Sequence, residues 1–253
     1  MTYNEWKFLD TSYDSVYRNL ALEEALITTQ QSDKATRMRI WTNPPAVVAG
    51  RFQDVRLEAD TSLCERENIA IARRFTGGGT VYHDPGNLNF TLVSWEPSID
   101  LKAIQHRNIS ILNEMLLRLH IDSTITSPNS ISVAGRKISG ASVAVKRNLV
   151  LWHASLLVST DPLTITHVLA PSRRQFITNR VRSRWEPVTN LQRELSRSVE
   201  TREVKQQFLN TVEDMFQVRL RRSELSSSDE AETIRLHDLK YATTEWIYEG
   251  VVK

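Results

Sequence analysis

The chain has 253 residues, 40% apolar and 25% charged, with a formal net charge of +2. That length supports a substantial core in one large domain or two small ones, and so balanced a charge gives no bulk reason to expect a nucleic-acid or membrane partner. One cysteine, Cys64, leaves no intrachain disulfide and fits a reducing compartment; with no apolar leader in residues 1–7 and no apolar run of membrane-spanning length, a cytoplasmic protein is expected. In chain order, an apolar band of Val16, Leu20, Leu22, Ala25 and Leu26 predicts a helix over residues 15–30. Residues 38–48 are strand-like but broken at Asn43-Pro44-Pro45, which predicts a hairpin or a bent strand. A second helix is predicted over 57–68, with Cys64 inside it, and strands over 69–75 and 87–95 on either side of a glycine run. A longer helix follows at 101–119, with Ile104, Leu112, Met115, Leu116 and Leu119 as its buried stripe, then short β segments at 121–126, 130–134, 141–145 and 149–158. Beyond Asp161 the pattern is mostly helical and clearest over 204–218; residues 226–232, polar and acidic, read as a loop or frayed turn. Mixed strands with segregated helices predict an α+β fold.

The most specific stretch runs from Arg73 to Asn89: Arg-Arg-Phe-Thr-Gly-Gly-Gly-Thr-Val-Tyr-His-Asp-Pro-Gly-Asn-Leu-Asn. Three adjacent glycines are poor core material, because each loses more backbone entropy on folding than any other residue. They suit a backbone that lies against a ligand with its N–H groups free, and flanking arginines suit an anionic one.

This string resembles the signature of the lipoate-protein ligase A family, within the wider group of biotin and lipoate ligases and octanoyltransferases. The family pattern is Arg-Arg, two variable residues, Gly-Gly-Gly, a short apolar strand, His-Asp, one variable residue and Gly-Asn-Leu-Asn, and each fixed position is filled. Other similar blocks follow the family's order: Asp14, Asn19-Leu20-Ala21 and Glu23-Glu24; Trp41 with Gly50-Arg51-Phe52-Gln53; Gly135-Arg136-Lys137-Ile138-Ser139-Gly140; Val181-Arg182-Ser183-Arg184 with Val188-Thr189-Asn190-Leu191; and Lys240-Tyr241 with Glu245-Trp246 near Gly250. Three places depart from the pattern. Trp185-Glu186-Pro187 is an insertion, Trp152-His153-Ala154-Ser155 replaces His-His-Gly-Thr, and Asn129-Ser130 replaces Asn-Asp. The resemblance implies a central mixed or antiparallel sheet flanked by helices, as in biotin ligases. It also implies that residues 1–253 form one catalytic domain without the small C-terminal domain of full-length ligases.

Read alone, Lys137 is a surface lysine in a β-turn; the resemblance makes it the residue that contacts the activated acyl group and nucleotide. Arg74 is expected to pair with a phosphate or with the acid's carboxylate, Thr76 to hydrogen-bond the same group, and Gly77, Gly78 and Gly79 to offer their amides. Arg73 is expected to be the structural member of its pair, capping a strand or solvated. His83 reads as pocket wall and polar contact, Asp84 as a turn residue, and Asn87 and Asn89, on one strand face, as pocket lining. Gly140 and His153 complete the expected lipoate site; His153 reads equally as a satisfied core histidine, and Ala154 is expected to narrow the space by one methyl. Gly79, Val81, Asn129 and Lys137 are the expected nucleotide contacts. Ser130 lacks the carboxylate a hard cation prefers, so no metal ligand is assigned and Mg²⁺ is expected to arrive with ATP. An apolar tunnel for the lipoyl tail is expected along Leu88, Phe90 and Val143.

The implied activity is that of an ATP-dependent ligase, which forms lipoyl-AMP and transfers the lipoyl group to a lysine of a lipoyl-carrier protein, with a separate small accessory subunit supporting the first step. Two alternatives stay open: a transferase using a preformed adenylate or an acylated protein donor, and a non-catalytic lipoate- or carrier-binding subunit. Cys64, in a helix, is no nucleophile of the octanoyltransferase kind. The arginines from Arg173 to Arg184 could dock an acidic carrier; without an RNA-binding motif, nucleic acid is the poorer partner.

Overall fold

The computed structural model describes residues 4–30, 34–169 and 179–252. Eleven strands are described: β1 (Asn4–Leu9), β2 (Arg37–Trp41), β3 (Ala46–Ala49), β4 (Ala70–Arg73), β5 (Val81–His83), β6 (Asn87–Trp95), β7 (Ser123–Ser127), β8 (Ser130–Val133), β9 (Arg136–Lys146), β10 (Leu149–Leu157) and β11 (Val218–Arg222). The helices are α1 (Val16–Thr29), α2 (Val55–Glu58), α3 (Thr61–Arg66), α4 (Leu101–Arg118), α5 (Pro162–Val168), α6 (Leu191–Glu194), α7 (Thr201–Phe216) and α8 (Ser227–Leu236), followed by two π-helical turns, His237–Tyr241 and Glu245–Glu249. Eight strands form a mixed sheet in the order β11-β1-β2-β6-β10-β9-β8-β7, and three form a small sheet, β4-β3-β5. The α+β expectation is met. Among the described residues no helix is long and apolar enough to cross a membrane.

Alternation along β6 and β10 sets up the two faces of the large sheet. Leu88, Phe90 and Leu92 join Trp152, Ala154 and Leu156 in a core with Ile109, Leu112 and Met115 of α4 and Val204, Phe208 and Val212 of α7. The Phe90 and Phe208 rings lie 4.1 Å apart. On the other face, Val93 and Leu151 meet Leu22 and Leu26 of α1, while Val16, Leu20, Ala21 and Ala25 pack against Ala46, Val48, Ala72, Tyr241 and Trp246. Helix α1 is thus held between the large sheet on one side and the small sheet and C-terminal turns on the other.

Several local expectations are corrected. The Asn43-Pro44-Pro45 break is no hairpin: β2 pairs with β1 and β6, whereas β3 pairs with β4 and β5, so the chain crosses there between sheets. The helix expected over 57–68 is two short ones, because the Asp60 side chain accepts from Leu63 N and starts α3 anew. Residues 227–232 are helical, not a loop. Ser226 and Asp229 form a reciprocal capping box, so the polar, acidic composition marks a helix start. The amphipathic segment ends at Phe216, where Gln217 turns left-handed (φ 52°), and the chain becomes β11. Neither β1 nor β11, the parallel pair near that edge, was expected.

Candidate functional site

Strand register assembles a polar surface on the α1 face of the large sheet. One row across the strands runs Trp41, Asn89, Ser155, Gly140 and Ser130; the next runs Arg39, Thr91, His153 and Ser142. The glycine loop lies over these rows. Ser142 Oγ donates to Gly77 O at 3.1 Å, and Thr76 Oγ1 meets His153 Nε2 at 2.9 Å.

Arg74 builds the loop from behind. Buried, it donates from Nε to Thr76 Oγ1 (3.1 Å), from Nη1 to Val48 O (3.1 Å), and from Nη2 to Gly77 O (2.6 Å) and Gly79 O (2.7 Å). Burial pulls its guanidinium down to about 10, which still leaves it charged at neutral pH. Gly78 sits at φ +90°, and a Cβ there would come within 2.9 Å of Arg74 Nη2, so only glycine lets the loop close on this arginine. Two loop carbonyls therefore face Arg74. Among the described residues none accepts a hydrogen bond from the amides of Gly77, Gly78 or Gly79. In this arrangement Arg74 shapes the cradle rather than reaching out of it.

A buried chain backs the loop. The Glu23 carboxylate accepts from Thr91 Oγ1 at 2.7 Å and lies 3.0 Å from His153 Nδ1. Burial alone would raise its pKa, but His153, Thr91 and Arg39 hold it below the usual carboxylate value. His153 thus bridges Glu23 at Nδ1 and Thr76 Oγ1 at Nε2, and Thr76 Oγ1 also accepts from Arg74 Nε. His83 is separate. Burial and the nearby Arg74 push its imidazole down to about 3, so it is neutral, and its Nδ1 accepts from Asn43 Nδ2 at 2.9 Å. Asn43 Oδ1 accepts from Asn19, whose Oδ1 accepts from Arg39. His83 is tied to this network behind the loop.

On the polar rows, Asn87 Nδ2 donates to Asn89 Oδ1 at 3.0 Å. The remaining atoms, Asn87 Oδ1 and Asn89 Nδ2, are buried without a partner among the described residues, as is Ser130 Oγ. Unpaired buried polar atoms cost about 1–3 kcal/mol each, and these three lie on one face, where a polar ligand would partner them. Lys137 comes onto this face from a strand, not from the turn expected. A register shift between β8 and β9 turns it to the side of Gly140, where a Cβ would lie 3.3 Å from Lys137 Cε. The segment 186–189 clamps its backbone, with Lys137 N donating to Pro187 O (2.8 Å) and Thr189 N to Lys137 O (2.9 Å). Lys137 Nζ lies 2.7 Å from Glu186 Oε2.

Other expected residues fall differently. Asn129 Oδ1 accepts from Ser127 Oγ within its own turn (2.7 Å), and Val81 opens β5 opposite Val48. Leu88, Phe90 and Val143 cannot line a tunnel at this site. Leu88 and Phe90 belong to the core beneath the sheet, and Val143 pairs with Trp152 on that same lower face. Ala154 also points down, so its methyl does not narrow the site. Arg73 is neither solvated nor a simple strand cap. It is fully buried and binds six backbone carbonyls. Cys64 is buried beside Val47, Ala49 and Tyr82, its thiol pushed up by burial. Arg173 and Arg174 lie outside the described residues. Among the described residues there is no group of three or more His, Cys, Asp or Glu that could hold a metal.

Sequence reasoning missed Glu23 as part of the loop's support, along with Thr91, Ser142, Gln53 and Ser183. Gln53 accepts from Gly50 N and Thr80 Oγ1 and donates to Ser183 Oγ, which also accepts from Thr80 N. These four groups lock the glycine loop to the 180s segment. The Gly50–Gln53 block and Ser183 both stand in the similar motifs, so the signal was present, but only the fold pairs them.

Residues 15–213 match the lipoyl protein ligase A/B catalytic domain. This chain belongs to that family. Within it, lipoate-protein ligase A subunit 1 of Thermoplasma acidophilum is 29% identical over 239 residues, 90% of each chain. Among solved structures, a bipartite lipoate protein ligase and its E2 lipoyl domain from T. acidophilum superimposes with TM-score 0.88 at 27% identity, covering 98% of both chains. A lipoate-protein ligase A bound with ATP superimposes with TM-score 0.86 at 25% identity, covering 98% of this chain and 100% of that one. Those overlaps cover 98% of this chain and match the fold expected from the sequence.

Proposed function

We propose that this protein is an ATP-dependent lipoate-protein ligase. The observation that carries the reading is the buried face on which Asn87 Oδ1, Asn89 Nδ2 and Ser130 Oγ lack partners among the described residues, crossed by the Lys137 stem at Gly140, together with glycine-loop amides that no described residue claims. Lys137, the loop amides, Asn89 Nδ2 and Ser130 Oγ are donors that suit an acyl phosphate, whose charge sits on oxygens, while Asn87 Oδ1 is an acceptor. In the first step the lipoate carboxylate attacks the α-phosphorus of ATP and pyrophosphate leaves. Lys137 and the amides of Gly77–Gly79 offset charge developing on the phosphate and acyl oxygens, while Arg74 and the Glu23–His153–Thr76 chain keep the loop in place beforehand. In the second step an amine of a lipoyl-carrier protein attacks the acyl carbon and AMP leaves; here the protein orients the groups and excludes water. Mg²⁺ travels with the nucleotide in this reading, and no step depends on a metal held by the chain.

The ATP-bound relative of the same fold supports the nucleotide assignment, and the relative described with its E2 lipoyl domain supports an acceptor of that kind. The relative named subunit 1, matched over 90% of both chains, supports a separate small subunit that assists adenylation. Burial of Cys64 speaks against a thiol-dependent transferase. The test is the intact mass of an E2-type lipoyl domain after incubation with lipoate and this protein. A lipoyl mass increment is expected with ATP and none without it. An increment that needs no ATP contradicts the reading, and full turnover by the chain alone removes the second subunit from it.

A further inference from the structure

The second step needs a feature that the cradle lacks. A lysine amine titrates near 10.4, so the acceptor arrives as an ammonium ion, which cannot attack a carbonyl and is repelled by a cationic entrance. The sequence leading into Glu186 is strongly basic: residues 162–185 contain five arginines and no Asp or Glu, and Glu186 is the first acid after Asp161. That acid stands 2.7 Å from the Lys137 ammonium. Its position is fixed by the backbone bonds of Pro187 and Thr189 to Lys137, and its side chain remains 48% exposed. Its second oxygen, Oε1, takes no hydrogen bond from the described residues. The other carboxylates beside the loop are already committed. Glu23 serves Thr91 and His153, and Glu58 accepts from Ser183 N.

We propose that Glu186 receives the acceptor lysine and takes its proton, an assignment that rests on the ligase reading above. When Lys137 turns to the acyl phosphate, the Glu186 carboxylate is released beside the acyl carbon. It draws the incoming ammonium past the arginines and binds it there. The bound ammonium first gives one proton through Glu186 to solvent, which frees its lone pair; as the N–C bond then forms, the C–O bond to phosphate breaks and AMP leaves with the electron pair, and the second proton, from the nitrogen now bonded to carbon, passes to Glu186 and on to solvent. Amine acidity rises as nitrogen bonds to carbon, so a carboxylate suffices as base at that stage.

The test starts from preformed lipoyl-adenylate and compares two nucleophiles, Nα-acetyl-lysine amide, a cation at neutral pH, and hydroxylamine, which is mostly uncharged. In Glu186→Gln, transfer to the lysine amide slows by about 10²-fold while transfer to hydroxylamine changes by less than about threefold. Glu186→Asp restores part of the lysine rate. Equal slowing with both nucleophiles would reduce Glu186 to a support for Lys137, and unchanged or faster lysine transfer would make it a bystander or a block; each overturns the proposal. Wild-type protein that consumes the adenylate with neither nucleophile overturns the ligase reading itself, and this assignment with it.

Discussion

Lys137→Ala lowers lipoyl-adenylate formation by about 10²–10³-fold, the usual cost of removing one preorganised donor from developing oxyanion charge. The two arginines at the glycine loop are already engaged. Arg74 is spent on the carbonyls of Gly77, Gly79 and Val48, and Arg73 is enclosed elsewhere. The loss should fall on kcat more than on KM, because the ammonium meets charge that grows as the phosphorus is attacked. Folding is spared: Lys137 keeps 31% exposure and its one ion pair is partly solvated, worth about 0–1 kcal/mol. Rates of lipoyl-adenylate formation, read beside an unchanged circular dichroism spectrum, check this. Adenylation at the wild-type rate would take Lys137 out of the mechanism.

Arg73→Ala destabilises the fold by about 3–5 kcal/mol, several unpaired buried carbonyls at 1–3 kcal/mol each being partly rehydrated. The guanidinium ties two distant stretches together. It donates to Gly50, Arg51 and Gln53 on one side and to Trp246, Ile247 and Tyr248 on the other, while Trp246 Nε1 donates back to Arg73 O at 2.8 Å. Arg73→Lys should recover little, since an ammonium on a flexible stem cannot span that set of acceptors. The urea midpoint measures the loss. A shift equivalent to under about 1 kcal/mol would mean that the carbonyls find other donors.

Much of this architecture was legible because periodicity reports burial directly. The α1 stripe, the long α4 and the alternating β6 and β10 all appear where spacing puts them. What stayed hidden depends on partners far along the chain. Leu88 and Phe90 look like pocket lining in a strand next to the glycine loop, but a period of two sends them to the lower face while Asn87 and Asn89 go up. Arg73 and Arg74 are adjacent in a string that suggests anion binding, yet both are held by carbonyls. A guanidinium's preference for oxygen does not say whose oxygen. β1 and β11 pair in parallel across more than two hundred residues, and no local signal carries that. The Glu186–Lys137 contact was similarly invisible, since it joins an insertion to a strand 49 residues away.

The central claim is that an acyl phosphate lies between the glycine-loop amides and Lys137. The position of a non-hydrolysable lipoyl-AMP analogue in a crystal of this protein tests it most directly. The acyl-phosphate oxygens are expected within hydrogen-bond reach of Lys137 Nζ and the Gly77–Gly79 amides, with Asn87, Asn89 or Ser130 newly partnered. An analogue bound instead at the opening lined by Arg136 and Arg193, or leaving those three side chains unpaired, would contradict it.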